Sequence, residues 1–186
     1  MSQQKYKCGA RVQQLLTVGA VLLVAMSASA QTASNAVSSK CSSAEHRQFD
    51  FWLGEWDVAQ GDKFAGRNSI RSILNGCAIS EDWSGSGGFR GNSLNFYNPS
   101  TQRWHQTWID SQGQSLALEG KFEAGSMTLQ NVEPENMPRH RITWTPMPDK
   151  SVRQLWQVRD KPEAEWRTLF DGKYTPRSAT PPSSTN

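Results

Sequence analysis

The sequence predicts an all-β domain, an antiparallel up-and-down β-barrel of about ten strands. Three observations carry that expectation. From residue 55 to 174 the chain breaks into short strand-like runs, several of which alternate apolar and polar side chains. Turn signals separate the runs: NG, SGSGG, NPS, SQG, EAG, PMPDK and DKPE. No window holds an apolar i, i+3, i+4, i+7 stripe of helical length. Short strands joined by tight turns make a meander, and closing the meander removes its exposed edges. A sandwich needs longer crossovers, and none is visible.

The chain opens with a segment expected to lie outside the fold. Lys5, Lys7 and Arg11 form a basic start, residues 15–26 are an apolar core, and Ala28 and Ala30 precede Gln31. That pattern reads as a secretion signal over residues 1–30. The apolar run is too short for a stop-transfer helix. Cys8 precedes the apolar core and Gln31, not a Cys, stands directly after the cleavage position, so no membrane or lipid anchor is expected after cleavage. The expected product is exported, periplasmic or secreted. Residues 31–44 and 175–186 are rich in Ser, Thr, Ala and Pro and read as disordered tails. The barrel domain is then expected at 45–174, long enough for one core.

The whole chain carries 20 Lys and Arg against 17 Asp and Glu, and cleavage would remove three bases and no acid, leaving 17 against 17. A near-neutral domain lacks the basic excess of a nucleic-acid binder, and no nucleic-acid partner is expected. Cys41 and Cys77 are the two cysteines left after processing, and in an oxidising compartment an even pair reads as one disulfide.

Residues 44–53 (AEHRQFDFWL) suit one short helix or turn ahead of the barrel. The strands expected next are 55–60, 68–75, 77–83, 91–97 and 103–109, followed by 115–122, 126–132, 139–145, 151–158 and 165–174. Within FDFWLGEWDV (49–58), Phe49, Phe51, Trp52 and Trp56 read as a plug, because a barrel end must be shut by something large. Gly54 lets the chain turn close beneath them, and each indole N–H calls for a partner.

A Gly54-Glu55-Trp56 motif at the head of a meander resembles the calycin group of lipocalins, fatty-acid-binding proteins and nitrobindin-like barrels. In those families the Trp packs across the closed end. A wider pattern covers nearly the whole domain: FDFWLGEWDV, GCAISEDW, NFYNPSTQRWHQTWID, RITWTP, VRQLW and FDGKY. It is similar to a family of secreted bacterial proteins of unknown function regarded as lipocalin-like. The resemblance implies a calycin-type barrel and brings no activity with it. Lys150 stands in MPDKSVRQ where a turn glycine is expected.

Strand parity selects the candidate interior. Trp104, Gln106 and Trp108 share a face, as do Ile142 and Trp144, and Val152, Gln154 and Trp156. Cys77, Ile79, Glu81 and Trp83 share another, which sets an acid on an otherwise apolar face. In 91–97, parity leaves open whether Leu94 and Phe96 or Asn95 and Tyr97 turn inward. The candidate ligand-binding set is Glu81, Trp83, Asn95, Trp104, Gln106, Trp108, Trp144, Gln154 and Trp156. Buried polar groups need partners, since an unpaired one costs about 1–3 kcal/mol, and a concave apolar lining with a few polar groups is the usual form of a small-molecule site. The alternative is a barrel filled by its own side chains and used as an envelope scaffold or partner-binding surface.

Other chemistries find less support. Parity puts Arg141 and Arg153 on the outer face; at the mouth they would instead meet a carboxylate. Of the three histidines, His46 precedes the barrel, and His105 and His140 are read on the face opposite the indoles. No CxxC or HxxxH occurs, so no metal and no cofactor is expected, and the nitrobindin resemblance is the one pointer to haem. GxSxG, HExxH and GxGxxG are absent as well. SGSGGFRG (84–91) joins two strands and reads as a hairpin loop at the barrel mouth rather than a phosphate cradle. Glu81 and Asp82, adjacent on a strand, face opposite ways and form no acid–base pair. No catalytic residue is expected. The sequence points to an exported, non-catalytic barrel whose partner is a small hydrophobic or aromatic molecule.

Overall fold

The computed structural model describes residues 40–131 and 137–177, and the expected signal segment at 1–30 lies outside the described residues. Ten antiparallel strands run β1 Gly54–Gln60, β2 Lys63–Ile73, β3 Ala78–Gly85, β4 Arg90–Asn98, β5 Arg103–Asp110, β6 Ser115–Glu123, β7 Ser126–Asn131, β8 Arg139–Pro146, β9 Val152–Arg159 and β10 Arg167–Pro176. Each pairs with its neighbours in sequence, and β1 pairs with β10 to close the barrel. The closing register runs from Trp56 opposite Pro176 to Gln60 opposite Gly172. Thr175 and Pro176 therefore belong to the barrel and not to a tail, and the Arg177 amide donates to the Glu55 carbonyl at 2.9 Å.

Alternation is read out as expected along most strands. In β4 it selects Asn95, fully buried, over Leu94, which is 43% exposed. Phe96 lies on the outer face, stacked on the His105 ring at 5.3 Å. β2 begins five residues earlier than the pattern suggests, because the register shifts between Val58 and Ala59 and a bulge carries the pairing on. Gly66 hides this extension in the sequence. Its φ is +159°, and a Cβ there would fall 2.5 Å from the Ser84 carbonyl oxygen. The turn before β9 holds Lys150 at φ 64°, the left-handed conformation for which a glycine is expected.

The residues before β1 form two single-turn 3₁₀ helices, Ala44–Arg47 and Asp50–Trp52, in place of one helix. They carry the plug. Phe49 stacks on Trp52 at 4.9 Å and meets Trp104 and Trp144 edge-on at 5.6 and 5.2 Å. Phe51 extends the cluster to Phe122. Trp56 Nε1 donates to the Trp52 carbonyl at 2.9 Å, so the first barrel Trp is both packed and hydrogen-bonded to the cap. Gly54 sits between them at φ +142°. A Cβ there would make only ordinary contact with the Trp56 ring at 3.5 Å, so backbone conformation, not space, is what calls for glycine.

A Cys41–Cys77 disulfide, 36 residues apart in sequence, fastens this cap to the turn between β2 and β3. Arg47 supports the same junction, donating to the Cys41 carbonyl at 3.3 Å and to the Gly76 carbonyl. The chain-entropy model gives about 3–4 kcal/mol for closing a loop of this length. Replacing both cysteines by serine should lower the unfolding free energy in urea by about that amount. Reductant should reproduce the loss in the native chain, and an unchanged urea midpoint in either case would contradict the stapling role.

Candidate functional site

The cap closes the end of the barrel from which β1, β3, β5, β7 and β9 start. Toward the other end, below the turn between β3 and β4, the lumen opens into a cavity of about 280 Å³. Trp83, Trp108, Trp144, Trp156, Phe170 and Tyr174 form most of its wall, with Leu116 and Ile142 between them. Phe89 and Leu169 stand at the rim, both partly exposed. Glu81, Gln106, Gln154 and the Tyr174 hydroxyl are its polar lining.

Three glycines let the rings lie along the wall. A Cβ on Gly91 would fall 2.1 Å from the Trp108 indole, one on Gly172 2.3 Å from the Phe170 ring, and one on Gly66 2.9 Å from Trp83. Each ring rests directly on backbone that has no side chain in the way. A methyl at Gly91 or Gly172 would push an aromatic ring into the lumen, so these glycines keep the cavity open.

The polar groups form one connected network. Glu81 Oε1 accepts from Asn68 Nδ2 at 2.7 Å, and Oε2 accepts from the Ser93 hydroxyl at 2.5 Å. Ser93 Oγ in turn accepts from Asn95 Nδ2 at 2.9 Å, and Asn95 Oδ1 accepts from Gln106 Nε2 at 2.8 Å. On the other side the Tyr174 hydroxyl donates to Gln154 Oε1 and accepts from Asn68 Nδ2 at 3.4 Å. Asn68 Oδ1 and Trp144 Nε1 are buried with no protein partner, an acceptor and a donor left over. Burial pushes the Glu81 carboxyl up to about 7, against the pull of its Ser93 and Asn68 hydrogen bonds, and Asp82 on the outer face adds to the rise. Burial also raises the Tyr174 hydroxyl well above its ordinary 10, and Glu81 contributes.

Seven of the nine residues expected at the site meet at this cavity: Glu81, Trp83, Gln106, Trp108, Trp144, Gln154 and Trp156. Asn95 and Trp104 do not. Asn95 lies behind the wall, holding Gln106 and Ser93. Trp104 sits lower, packed on Phe49 with its Nε1 donating to Gln48 Oε1 at 3.3 Å, so it belongs to the plug. Parity separates inside from outside but does not report depth along the barrel axis. Tyr174 and Phe170 are wall residues that the sequence reading missed, although residues 170, 172 and 174 alternate inward. Leu169 lines the cavity beside Phe170 because the pairing of β9 and β10 shifts between Thr168 and Phe170, which parity alone cannot anticipate.

The remaining polar candidates fall elsewhere. His140 corrects its expected placement. It shares the parity of Ile142 and Trp144, and its Nδ1 accepts from Trp156 Nε1 at 3.0 Å, steadying that indole. Desolvation lowers its pKa. His105 lies outside, 3.9 Å from Glu119, and His46 is buried against Tyr97 at 5.2 Å. Among the described residues no cluster of three His, Cys, Asp or Glu could hold a metal. Arg153 binds Asp171 bidentately at 2.8 and 2.7 Å on the outer surface. Arg141 lies 4.1 Å over the Trp166 ring and donates to Gln157 Oε1 at 2.8 Å.

The raised Glu81 pKa sets a pH dependence of stability. Between the ordinary carboxyl value of 4.5 and about 7 the folded protein holds a proton that the unfolded chain has released. The contribution of this one group to stability is therefore full below about 4.5 and falls as pH rises to about 7, by about 3 kcal/mol. Tyr174 is the titratable group facing Glu81 inside the barrel, and it stays neutral throughout this window. Urea unfolding of the native protein and of Glu81→Gln should show their stability difference changing by about 3 kcal/mol between pH 5 and pH 8, in favour of the variant at high pH. Parallel pH profiles would contradict the buried carboxyl with its raised pKa.

Comparison of the chain with protein-family models and with curated proteins found no match, which leaves the chemistry of the cavity as the guide to function.

Proposed function

We propose that the protein is an exported, non-catalytic binding barrel that takes up one small, largely apolar or aromatic molecule. The observation that carries this reading is the cavity itself, a concave, mostly aromatic lining with a few polar side chains joined in one hydrogen-bond network. Side chains just fill a barrel of eight strands, and ten strands enclose a wider lumen. Here the plug fills one end, and rings laid on glycines keep the other end from being filled in the same way. Export is supported by the signal-like start of the sequence and by the Cys41–Cys77 disulfide, which suits an oxidising compartment. The rival reading, a scaffold with a filled core, gives no reason for the Trp108 and Phe170 rings to be seated on glycines.

A neutral fluorescent probe tests the reading. N-phenyl-1-naphthylamine should bind with one-to-one stoichiometry, gain emission, and quench the indole fluorescence by energy transfer. Gly91→Ala, which drives Trp108 inward, should weaken binding by about ten-fold or more, the usual effect of one misplaced methyl in a fitted pocket. Absence of probe uptake by the native protein would favour the scaffold.

A further inference from the structure

Glu81 is an acid in a place where the protein supplies no base. It is 6% exposed, and its two oxygens are met by a neutral amide and a neutral hydroxyl. No ion pair among the described residues includes it. No Lys, Arg or His lines the cavity among the described residues. An ionised carboxylate offers about four lone-pair sites, of which these two hydrogen bonds occupy half. Burying such a group without a counter-charge is expensive, and a cavity meant only for hydrocarbon is better served by a Leu or Met in its place.

Most of the surroundings have the same sign, the Trp144 N–H being the one buried donor without a partner among the described lining side chains. Trp83, Trp108, Trp144 and Trp156 share the cavity with Glu81, and the faces of indole rings are electron-rich. Asn68 Oδ1, on the amide that donates to Glu81, is a buried acceptor with no donor. An anionic guest would meet a carboxylate and four indoles with no cation to balance it. A wholly apolar guest would leave the acid and the spare acceptor unanswered. Indole rings that line one cavity with a carboxylate lacking a counter-charge suit an organic ammonium group.

We propose that the ligand is an organic cation, an amine or quaternary ammonium on a small apolar or aromatic body, whose charged nitrogen sits against Glu81 among the indole rings. This inference deepens the binding-barrel reading and rests on it. Glu81 is the recognition residue. Asn68 and Ser93 are positioning residues that hold its carboxylate in place.

Benzyltrimethylammonium and its uncharged carbon isostere neopentylbenzene have the same shape and differ in charge. Calorimetric or fluorescence titration of the purified protein at pH 8 should show the ammonium binding about ten-fold or more tighter than the isostere. Glu81→Gln should bring the two affinities together by weakening the ammonium alone. Should that variant fold poorly, the native protein carries a second readout. A cation beside Glu81 favours its ionised form, so binding of the ammonium at pH 6 should release close to one proton per molecule, measured in buffers of different ionisation enthalpy. Equal or tighter binding of neopentylbenzene, or no proton release with the ammonium, would overturn the cation proposal and leave the binding barrel standing. Failure of both compounds and of N-phenyl-1-naphthylamine would overturn both.

Discussion

The pairing of β1 with β10 is the constraint on which the rest of the structure depends. It joins the two ends of the meander, so that no strand is left as an edge and the inward faces of ten strands share one interior. That interior is wider than the side chains of a small barrel fill. Its two ends are treated differently. At one end Phe49, Trp52, Trp56, Trp104 and Trp144 interlock, Trp56 is hydrogen-bonded to the Trp52 carbonyl, and a disulfide pins the cap to the barrel rim. Toward the other end the aromatic rings lie along the wall, and space remains.

The two halves of the interior thus use the same residue types for opposite purposes. Trp144 marks the boundary, touching Phe49 and Trp52 below and lining the cavity above. What distinguishes the upper half is the backbone beneath the rings. Trp108 over Gly91 and Phe170 over Gly172 occupy ground that a Cβ would deny them. The same half holds the costly group, Glu81, tethered on both oxygens and linked through Ser93, Asn95 and Gln106 along adjacent strands. A network this connected fixes the carboxylate's position while leaving its charge unbalanced, which is the property a cationic guest would use.

Much of this was legible in the sequence because a meander is a local object. Turn signals and period-two alternation marked ten strands, and the aromatic run before the first of them announced a cap. The failures have separate physical causes. A glycine and a bulge concealed the first residues of β2, and another irregularity brought Leu169 and Phe170 to the same cavity. Parity could not decide β4, because what buries Asn95 is a cross-strand partner, Gln106, rather than anything in its own segment. It placed Trp104 inside without saying that it belonged to the plug. The link from Glu81 through Asn68 to Tyr174 joins β3, β2 and β10, and such a connection becomes visible only when the sheet is closed. His140 was a plainer matter, since simple alternation with Ile142 and Trp144 puts it inside.

The central claim is that the upper half of the barrel is a site and not merely a gap. Native mass spectrometry of protein purified from the cells that make it tests this most directly, before and after incubation with a panel of small aromatic amines. The expected result is a discrete added mass, one molecule per chain, that is retained in the folded protein and lost on denaturation. A bare mass under both conditions would contradict it and would make the barrel a scaffold.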